Sequence, residues 1–134
     1  MKVTILGSGG QIGAYLLDYL TEKGHEVTGV DVVDGPHNDL RVTPNTYVES
    51  AIKNADFVFF LAFDVGGSRY LKKYQHTFEF VNNNTRIMAN TFRLLERYNK
   101  QFVFASSQMS NMSYSPYGVM KRVGELHTTA LKGL

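Results

Sequence analysis

The sequence predicts an α/β fold in which a doubly wound parallel sheet is flanked by helices. Short apolar runs bounded by turn residues alternate with longer stretches of helical period, a pattern typical of βαβ units. The 134 residues suffice for one domain with a core of its own. The composition, 43% hydrophobic and 19% charged, is that of an ordinary soluble globular protein. We therefore expect a single domain over residues 1–134.

The first half of the chain contains two strand patterns before a turn-rich segment. "KVTIL" (2–6) reads as a buried strand and "HEVTGVD", which ends at Asp31, as a second one. Between them, "QIGAYLLDYLTEKG" (11–24) has a helical period, and the face expected to pack consists of Ile12, Tyr15, Leu16, Tyr19 and Leu20. "VVDGPHNDLRVTPN" then has the turn residues of a long loop, with room for a short strand from Asp39 to Val42.

The second half continues the alternation. "TYVESAIKNA" is predicted as a short helix, "DFVFFLA" as a fully buried strand, and residues 70–99 as a long helix or a broken pair. "QFVFASS" is a further strand, and "SPYGVMKRVGELHTTALKG" is a final helix with Pro116 in its first turn. The pattern predicts about five strands, each followed by a helix.

The composition argues against several kinds of site. Because the chain has no cysteine, a disulfide framework, a thiolate metal site and a thiol nucleophile are excluded. The net charge is +2 and the basic residues are scattered, so we expect no nucleic-acid partner. The histidines have no metal-ligand spacing, and we expect no metal. No apolar run is long enough for a signal peptide or a membrane span, which makes a cytoplasmic protein without membrane contact the expectation.

The segment "GSGGQIG" has the spacing of a phosphate-binding loop. It lies between a predicted strand and a predicted helix, where glycine permits a tight turn and lets backbone N–H groups approach a pyrophosphate at the helix N-terminus. A glycine-rich turn that binds nothing is the alternative, because the motif alone is weak. The loop residues expected at the cofactor are Gly7, Gly10, Gln11, Ile12 and Gly13.

Asp31 strengthens the nucleotide interpretation. It ends the second predicted strand, eighteen residues after Gly13, where a carboxylate accepts hydrogen bonds from a ribose and repels a 2′-phosphate. We therefore predict a Rossmann-type domain with strand order 3-2-1-4-5 that binds NAD in preference to NADP.

Tyr117 and Lys121 form the second chemical motif. They are four residues apart in a predicted helix, so the ammonium and the phenol share a face. Tyr117 can then take a proton from a hydroxyl while a hydride leaves the same carbon for NAD+. A chance Tyr-x-x-x-Lys pair, with a packed tyrosine and a solvated lysine, is the alternative; the preceding nucleotide loop favours catalysis.

With these motifs the sequence resembles the extended short-chain dehydrogenase/reductase family, which includes nucleotide-sugar epimerases, dehydratases and dehydrogenases. The resemblance rests on the glycine spacing with Asp31, on "DLR" at 39–41, on "DFVFFLA", and on the end of the "QFVFASS" strand. It implies that Ser107, rather than Ser106, aligns the reacting hydroxyl. It also implies cofactor contacts from Asp39, Leu40, Leu61, Ala62, Phe63, Asn84, Tyr117 and Lys121, with Asn84 supporting the lysine through water. The substrate contacts that it implies are Gly66, Gly67, Ser107 and Gln108.

The sequence also departs from the family pattern. Tyr117 follows Ser107 by only ten residues, where the family has a much longer substrate-covering loop. Gln108 and Met109 replace the Asp-Glu pair of the dehydratases, and Met109 also replaces the acid/base cysteine of one epimerase branch; a thioether cannot exchange protons. The family's last strands and its small C-terminal substrate domain lie outside these 134 residues.

The resemblance implies an NAD-dependent oxidoreductase that oxidises a sugar hydroxyl at C4 of a nucleotide-sugar, with a GDP-sugar favoured. An epimerase that uses transient C4 oxidation is one alternative. A non-catalytic NAD-binding module or fragment is another. A homo-oligomer is expected.

Overall fold

The computed structural model describes residues 1–66 and 68–134. In this part of the chain, four parallel strands form one sheet with helices against it. The strands are Lys2–Leu6 (β1), Glu26–Val30 (β2), Phe57–Phe60 (β3) and Gln101–Phe104 (β4). The helices are Gln11–Glu22 (α1), Thr46–Lys53 (α2), Ser68–Tyr74 (α3), Phe78–Arg97 (α4) and Pro116–Ala130 (α5). Short 3₁₀ helices cover Val32–Asp34, Pro36–Asn38 and Gln108–Asn111.

The strand order is β2-β1-β3-β4. Leu6 of β1 pairs with Val30 on one side and with Phe60 on the other, and Phe60 pairs with Phe104. The predicted fold class, a doubly wound parallel sheet, is confirmed. All four strands run the same way, so their carboxyl ends and the loops that follow them meet at one edge of the sheet.

The possible short strand over Asp39 to Val42 does not form. The backbone N–H of Val42 donates to the Asp39 carbonyl, which makes this segment a turn, and the Asp39 carboxylate accepts from the backbone N–H of Arg41. Local hydrogen bonds of this kind compete with a strand ladder. The sheet of the described residues therefore has four strands rather than about five, and it begins at β2.

The core lies between one face of the sheet and helices α2, α4 and α5. Its central aromatic group joins Phe60 and Phe104 of the sheet to Phe92 of α4, with ring centroids 5.2 to 5.7 Å apart. Because side chains alternate along a strand, residues 6, 30, 60 and 104 share this face. This packing fixes the ends of β3 and β4, from which the candidate site extends.

Helix α1 lies on the opposite face and presents a different side from the one predicted. Ile12 and Tyr15 are 72% and 75% exposed, whereas Gly13 is buried and Leu16, Leu17 and Leu20 are partly buried. The cause is Gly13, which packs so closely on the Gly7 carbonyl that a Cβ would collide with it. That contact turns the Gly13 side of the helix towards the sheet.

The predicted helical stretch from residue 70 to 99 is a pair, α3 and α4. Thr77 separates them, and its hydroxyl caps α4 by accepting from the backbone N–H of Phe80 at 3.2 Å. None of the helices that the structure describes is long and apolar enough to cross a membrane.

Candidate active site

The glycine loop after β1 is shaped by two close approaches. Gly7 has a φ of +96°, and a Cβ on it would lie 2.8 Å from the Ala62 nitrogen. Gly13 has no room for a Cβ beside the Gly7 carbonyl. Both glycines are therefore required by the packing of the chain on itself.

Gly10 is different, because the protein itself leaves room there. Its φ is −77°, and a Cβ at this position would have the Gly7 oxygen as its nearest neighbour at 3.5 Å, an ordinary contact. Gly10 is also the N-cap of α1 and provides no side-chain hydrogen bond to the first turn, where Gln11 and Ile12 are exposed. An open helix N-terminus without a side chain in front of it fits a pyrophosphate.

Asp31 is tied to this loop. Its carboxylate accepts from the backbone N–H of Gly9 at 2.8 Å and from that of Val33 at 3.1 Å. A Cβ on Gly9 would come within 2.9 Å of the same carboxylate. Gly9 is not among the predicted cofactor residues. The adjacent pair Gly9-Gly10 contains one glycine more than the phosphate-loop motif requires, and this extra glycine could have indicated a role for Gly9. A carboxylate oxygen has more than one lone pair, so Asp31 retains acceptor capacity for a ribose hydroxyl.

The segment from Asp39 to Arg41, which is expected to contact the cofactor through Asp39 and Leu40, already makes hydrogen bonds within the protein. The Arg41 guanidinium donates to both carboxylate oxygens of Asp39, from Nε and Nη2, each at 2.9 Å. The hydrogen bonds from Arg41 hold the pKa of that carboxyl below its usual value. The Leu40 side chain is buried in the core, and its carbonyl accepts from the Asn90 amide. These contacts fix the position of the segment.

The loop after β3 is held by Asn84, which is fully buried. The Asn84 Oδ1 accepts from the backbone N–H of Asp64 at 2.7 Å, and its Nδ2 donates to the carbonyls of Asp64 and Phe80 at 3.1 and 3.0 Å. The predicted role of Asn84 was to support Lys121 through water. In the structure its amide fastens the loop that carries Leu61, Ala62 and Phe63, and the support of Lys121 through water stays a prediction.

The Asp64 carboxylate and Gly66 both lie against Tyr70 of α3. The Tyr70 hydroxyl donates to Oδ1 at 3.1 Å, and Asn83 donates to Oδ2 at 2.9 Å. Burial and the bond to Asp64 raise the pKa of the Tyr70 phenol. A Cβ on Gly66 would lie 2.7 Å from the Tyr70 side chain, so Gly66 packs under this ring. The other predicted substrate contact, Gly67, lies outside the described residues.

Lys121 is a buried lysine next to the loop after β3 and the end of β4. Its side chain is 5% exposed, and its Nζ donates to the Ala105 carbonyl at 2.7 Å. The Nζ lies 3.9 Å from the centroid of the Phe63 ring and 5.8 Å from that of the Tyr117 ring. Burial lowers the pKa of the Lys121 ammonium to about 8.

The two serines at the end of β4 have different partners. The Ser106 hydroxyl donates to the Glu125 carboxylate at 3.1 Å. Ser107 is half-buried, and its Oγ accepts from the backbone N–H of Met109 at 3.1 Å. The Ser107 hydroxyl proton is therefore not required by that bond. Gln108 follows as the exposed first residue of the 3₁₀ helix.

The short connection between Ser107 and Tyr117 closes by direct packing. The 3₁₀ helix in it lies so near α5 that a Cβ on Gly118 would collide with the Met109 carbonyl. Gln75, which no sequence motif marked, joins the other side: its Oε1 accepts from the Ser115 hydroxyl at 2.9 Å and from the backbone N–H of Tyr117 at 3.2 Å. The first turn of α5 is thus fixed from both sides.

Comparison with known proteins places the chain in a family. A family model described as "NAD dependent epimerase/dehydratase family" matches residues 3–133. GDP-mannose 3,5-epimerase 1 from Oryza sativa subsp. indica is 31% identical over 123 residues, which cover 80% of this chain and 31% of that enzyme. The chain thus spans about a third of the length of the curated relatives that it matches.

Solved structures share the fold. UDP-glucose 4-epimerase from Bifidobacterium longum, in complex with NAD+ and UDP, has a TM-score of 0.73 at 19% identity, over 98% of this chain and 48% of that one. The GalE-like L-threonine dehydrogenase from Cupriavidus necator has a TM-score of 0.78 at 22% identity, over 98% of this chain and 50% of that one. The resemblance seen in the sequence is confirmed by the family match: the chain belongs to the NAD-dependent epimerase/dehydratase family.

Proposed function

We propose that this chain is the NAD-binding, catalytic part of an oxidoreductase that oxidises the C4 hydroxyl of a nucleotide-linked sugar. One observation carries the proposal: the buried Lys121 ammonium lies beside Tyr117 at the same sheet edge as the open glycine loop and Asp31. Burying a lysine ammonium away from water costs free energy, so a lysine that is kept buried beside a phenol supports a role for its charge at that phenol.

The cofactor would be held by residues that the fold positions independently of it. The open N-terminus of α1 beyond Gly10 would receive the pyrophosphate, and Asp31 would accept from the adenosine ribose. The negative charge of Asp31, followed by Val32 and Val33, supports NAD rather than NADP. When bound, NAD+ supplies a hydride acceptor.

Tyr117, Lys121 and Ser107 would handle the proton. Ser107 would donate a hydrogen bond to the sugar oxygen and hold that oxygen in line, because the bond from the Met109 N–H leaves the Ser107 hydroxyl proton unused. Tyr117 would take the proton of the sugar hydroxyl as the hydride departs. Lys121, with one N–H on the Ala105 carbonyl, would stabilise the phenolate electrostatically.

The substrate class comes from the relatives. GDP-mannose 3,5-epimerases are 31% identical to the chain, which supports a GDP-sugar as the substrate. Their names also support the rival reaction, an epimerisation in which the hydride returns to the sugar. Against the cysteine route stands Met109, which cannot exchange protons.

The experiment is a cofactor titration followed by a panel of nucleotide-sugars. We expect the protein to bind NAD more tightly than NADP and to develop the absorbance of reduced cofactor with at least one GDP-sugar. Stoichiometric NADH after one turnover supports net oxidation, whereas a new stereoisomer without NADH supports epimerisation. NAD binding without hydride transfer to any sugar would leave the non-catalytic module as the function, and absence of NAD binding would refute the proposal.

A further inference from the structure

We propose that Phe63 is a positioning residue of this site: the face of its ring holds the Lys121 side chain as a charged ammonium next to Tyr117. The inference rests on the proposed function for its catalytic consequence. The contact between the Phe63 ring and the Lys121 ammonium is inferred only from the distance between them. The family resemblance implied only that Phe63 would touch the cofactor.

Phe63 is the nearest of the aromatic rings around the ammonium. The Nζ lies 3.9 Å from its centroid, compared with 5.1 Å for Phe104 and 5.8 Å for Tyr117. The Phe63 ring also meets the Tyr117 ring edge to face, with centroids 5.9 Å apart and planes at 85°. One ring therefore contacts both members of the Tyr-Lys pair. Removing it would free both at once.

The ring face of Phe63 stabilises the Lys121 ammonium more strongly here than it would at the surface, because Lys121 is buried. Cations over a ring gain more when they are removed from water than when they are exposed. Burial works in the opposite direction on the ammonium, since it disfavours the charged form. The Ala105 carbonyl and the surrounding rings, of which Phe63 is the nearest, are placed to offset that cost.

The nearby carboxylates have other partners. On α5, the Glu125 carboxylate accepts from Ser106, Ser110 and Arg122. On the loop after β3, the Asp64 carboxylate accepts from Tyr70 and Asn83. No ion pair within the described residues includes Lys121. The Tyr117 phenol is also near the ammonium, with its ring centroid 5.8 Å from the Lys121 Nζ.

The backbone of Phe63 is held where the contact needs it. Asn84 binds both backbone groups of Asp64, the next residue in the chain. On the other side of Phe63, the backbone is fixed at Leu61. The Leu61 N–H donates to the Leu6 carbonyl at 2.9 Å, where the hydrogen-bond ladder between β1 and β3 ends. Phe63 thus lies between two fixed points, and its ring is presented to Lys121 by a rigid support.

The test replaces the ring and follows Lys121 directly. We would label lysine with ¹³C and ¹⁵N, assign the Lys121 signal with Lys121→Arg, and titrate its side-chain shift by NMR in the full chain without cofactor. Phe63→Leu removes the ring face and remains apolar, so the midpoint of Lys121 should fall by about one pH unit. Phe63→Tyr retains a ring face and should stay near the wild-type midpoint. Phe59→Leu, the same change in β3 away from this contact, is the matched control.

Two results would overturn the proposal. One is a Phe63→Leu midpoint equal to that of wild type. The other is a Phe63→Tyr midpoint displaced as far as that of Phe63→Leu, which would mean that shape rather than the ring face matters. Thermal unfolding of each variant would show that the proteins compared are folded.

A kinetic arm separates this inference from the proposed function. If NAD-dependent oxidation occurs, the pH profile of kcat should shift in Phe63→Leu in the same direction as the Lys121 midpoint, and Phe63→Tyr should restore it. A displaced midpoint in a protein that oxidises no sugar would refute the proposed function and retain the contact. A displaced midpoint with an unchanged kcat profile would refute the catalytic part of the inference.

Discussion

The backbone N–H of Gly9 donates to the Asp31 carboxylate over 2.8 Å, so the glycine loop after β1 and the acidic residue after β2 are one hydrogen-bonded unit. The two motifs that predict a nucleotide site from the sequence are therefore joined before any ligand arrives. Preorganisation of this kind reduces the entropy lost on binding, and it makes the loop sensitive to changes at Asp31.

Asp31→Asn should weaken NAD binding and reduce the preference for NAD over NADP. The amide lacks the negative charge that repels a 2′-phosphate, and it offers one acceptor oxygen for two backbone donors. Hydrogen bonds to charged groups contribute about 1.5–3 kcal/mol, so NAD affinity should fall roughly tenfold or more. Calorimetric Kd values for both cofactors check this, with Asp34→Asn as the nearby acidic control. An unchanged NAD/NADP ratio would contradict the assignment of Asp31.

Gly10→Ala and Gly13→Ala should separate binding from folding. An alanine at Gly10 meets nothing nearer than the Gly7 oxygen at 3.5 Å, so unfolding in urea should change by less than about 1 kcal/mol, while NAD affinity falls because the methyl group lies where the pyrophosphate would approach. At Gly13 the Cβ collides with the Gly7 carbonyl, and the loss of stability should be about 1–3 kcal/mol or more. Full NAD affinity in a folded Gly10→Ala protein would argue against the phosphate site.

Tyr117→Phe should retain NAD binding and lose hydride transfer by about two to four orders of magnitude, the usual contribution of a general base. The change removes one hydroxyl and leaves the ring contact with Phe63 in place. Tyr114→Phe, on the short connection before α5, is the control because the Tyr114 side chain is exposed. Single-turnover absorbance with saturating cofactor is the measurement. Equal rates in Tyr117→Phe and wild type would refute the proposed base.

Lys121→Met should stabilise the protein at neutral pH, and the gain should shrink as the pH rises. In the folded protein the Lys121 pKa is about 8, below its value of 10.5 in a free chain. Between those values the unfolded chain binds more protons, so wild-type stability rises with pH across this window. Below about pH 8 the full cost of burial is present, at most about 3 kcal/mol. Urea unfolding at pH 7 and about pH 10 measures it.

The control for this pH dependence is Lys72→Met, which changes an exposed lysine of α3. It should leave the stability difference between the two pH values unaltered. A Lys121→Met protein with the same pH dependence as wild type would show that Lys121 does not carry the buried charge described above.

Motifs with local rules could be predicted from the sequence. The four strands of the sheet follow from short apolar runs bounded by turn residues. Residues 70–99 were predicted only as a long helix or a broken pair, and the cap at Thr77 shows that they form a pair. The family follows from the glycine spacing together with Asp31, and the family match confirms it. Whether Ser107, Tyr117 and Lys121 catalyse a reaction, which cofactor is bound and whether the protein forms a homo-oligomer stay predictions.

Features that depend on contacts distant in sequence could not be predicted. The helical period of α1 allowed more than one buried face, and the contact between Gly13 and the Gly7 carbonyl decided which one packs. Asp39 to Val42 had a strand-like composition, but the bond from Arg41 made it a turn. Gln75 reaches Tyr117 from more than forty residues away, and no spacing in the sequence announces such a pair.

The amide of Asn84 has a mechanical consequence for the loop after β3. Two of its hydrogen bonds join α4 to the backbone of Asp64 in that loop, and the third, to the Phe80 carbonyl, holds the amide against its own helix. The loop that carries Phe63 is therefore coupled to α4, and a displacement of either one would strain or break its bonds to the other.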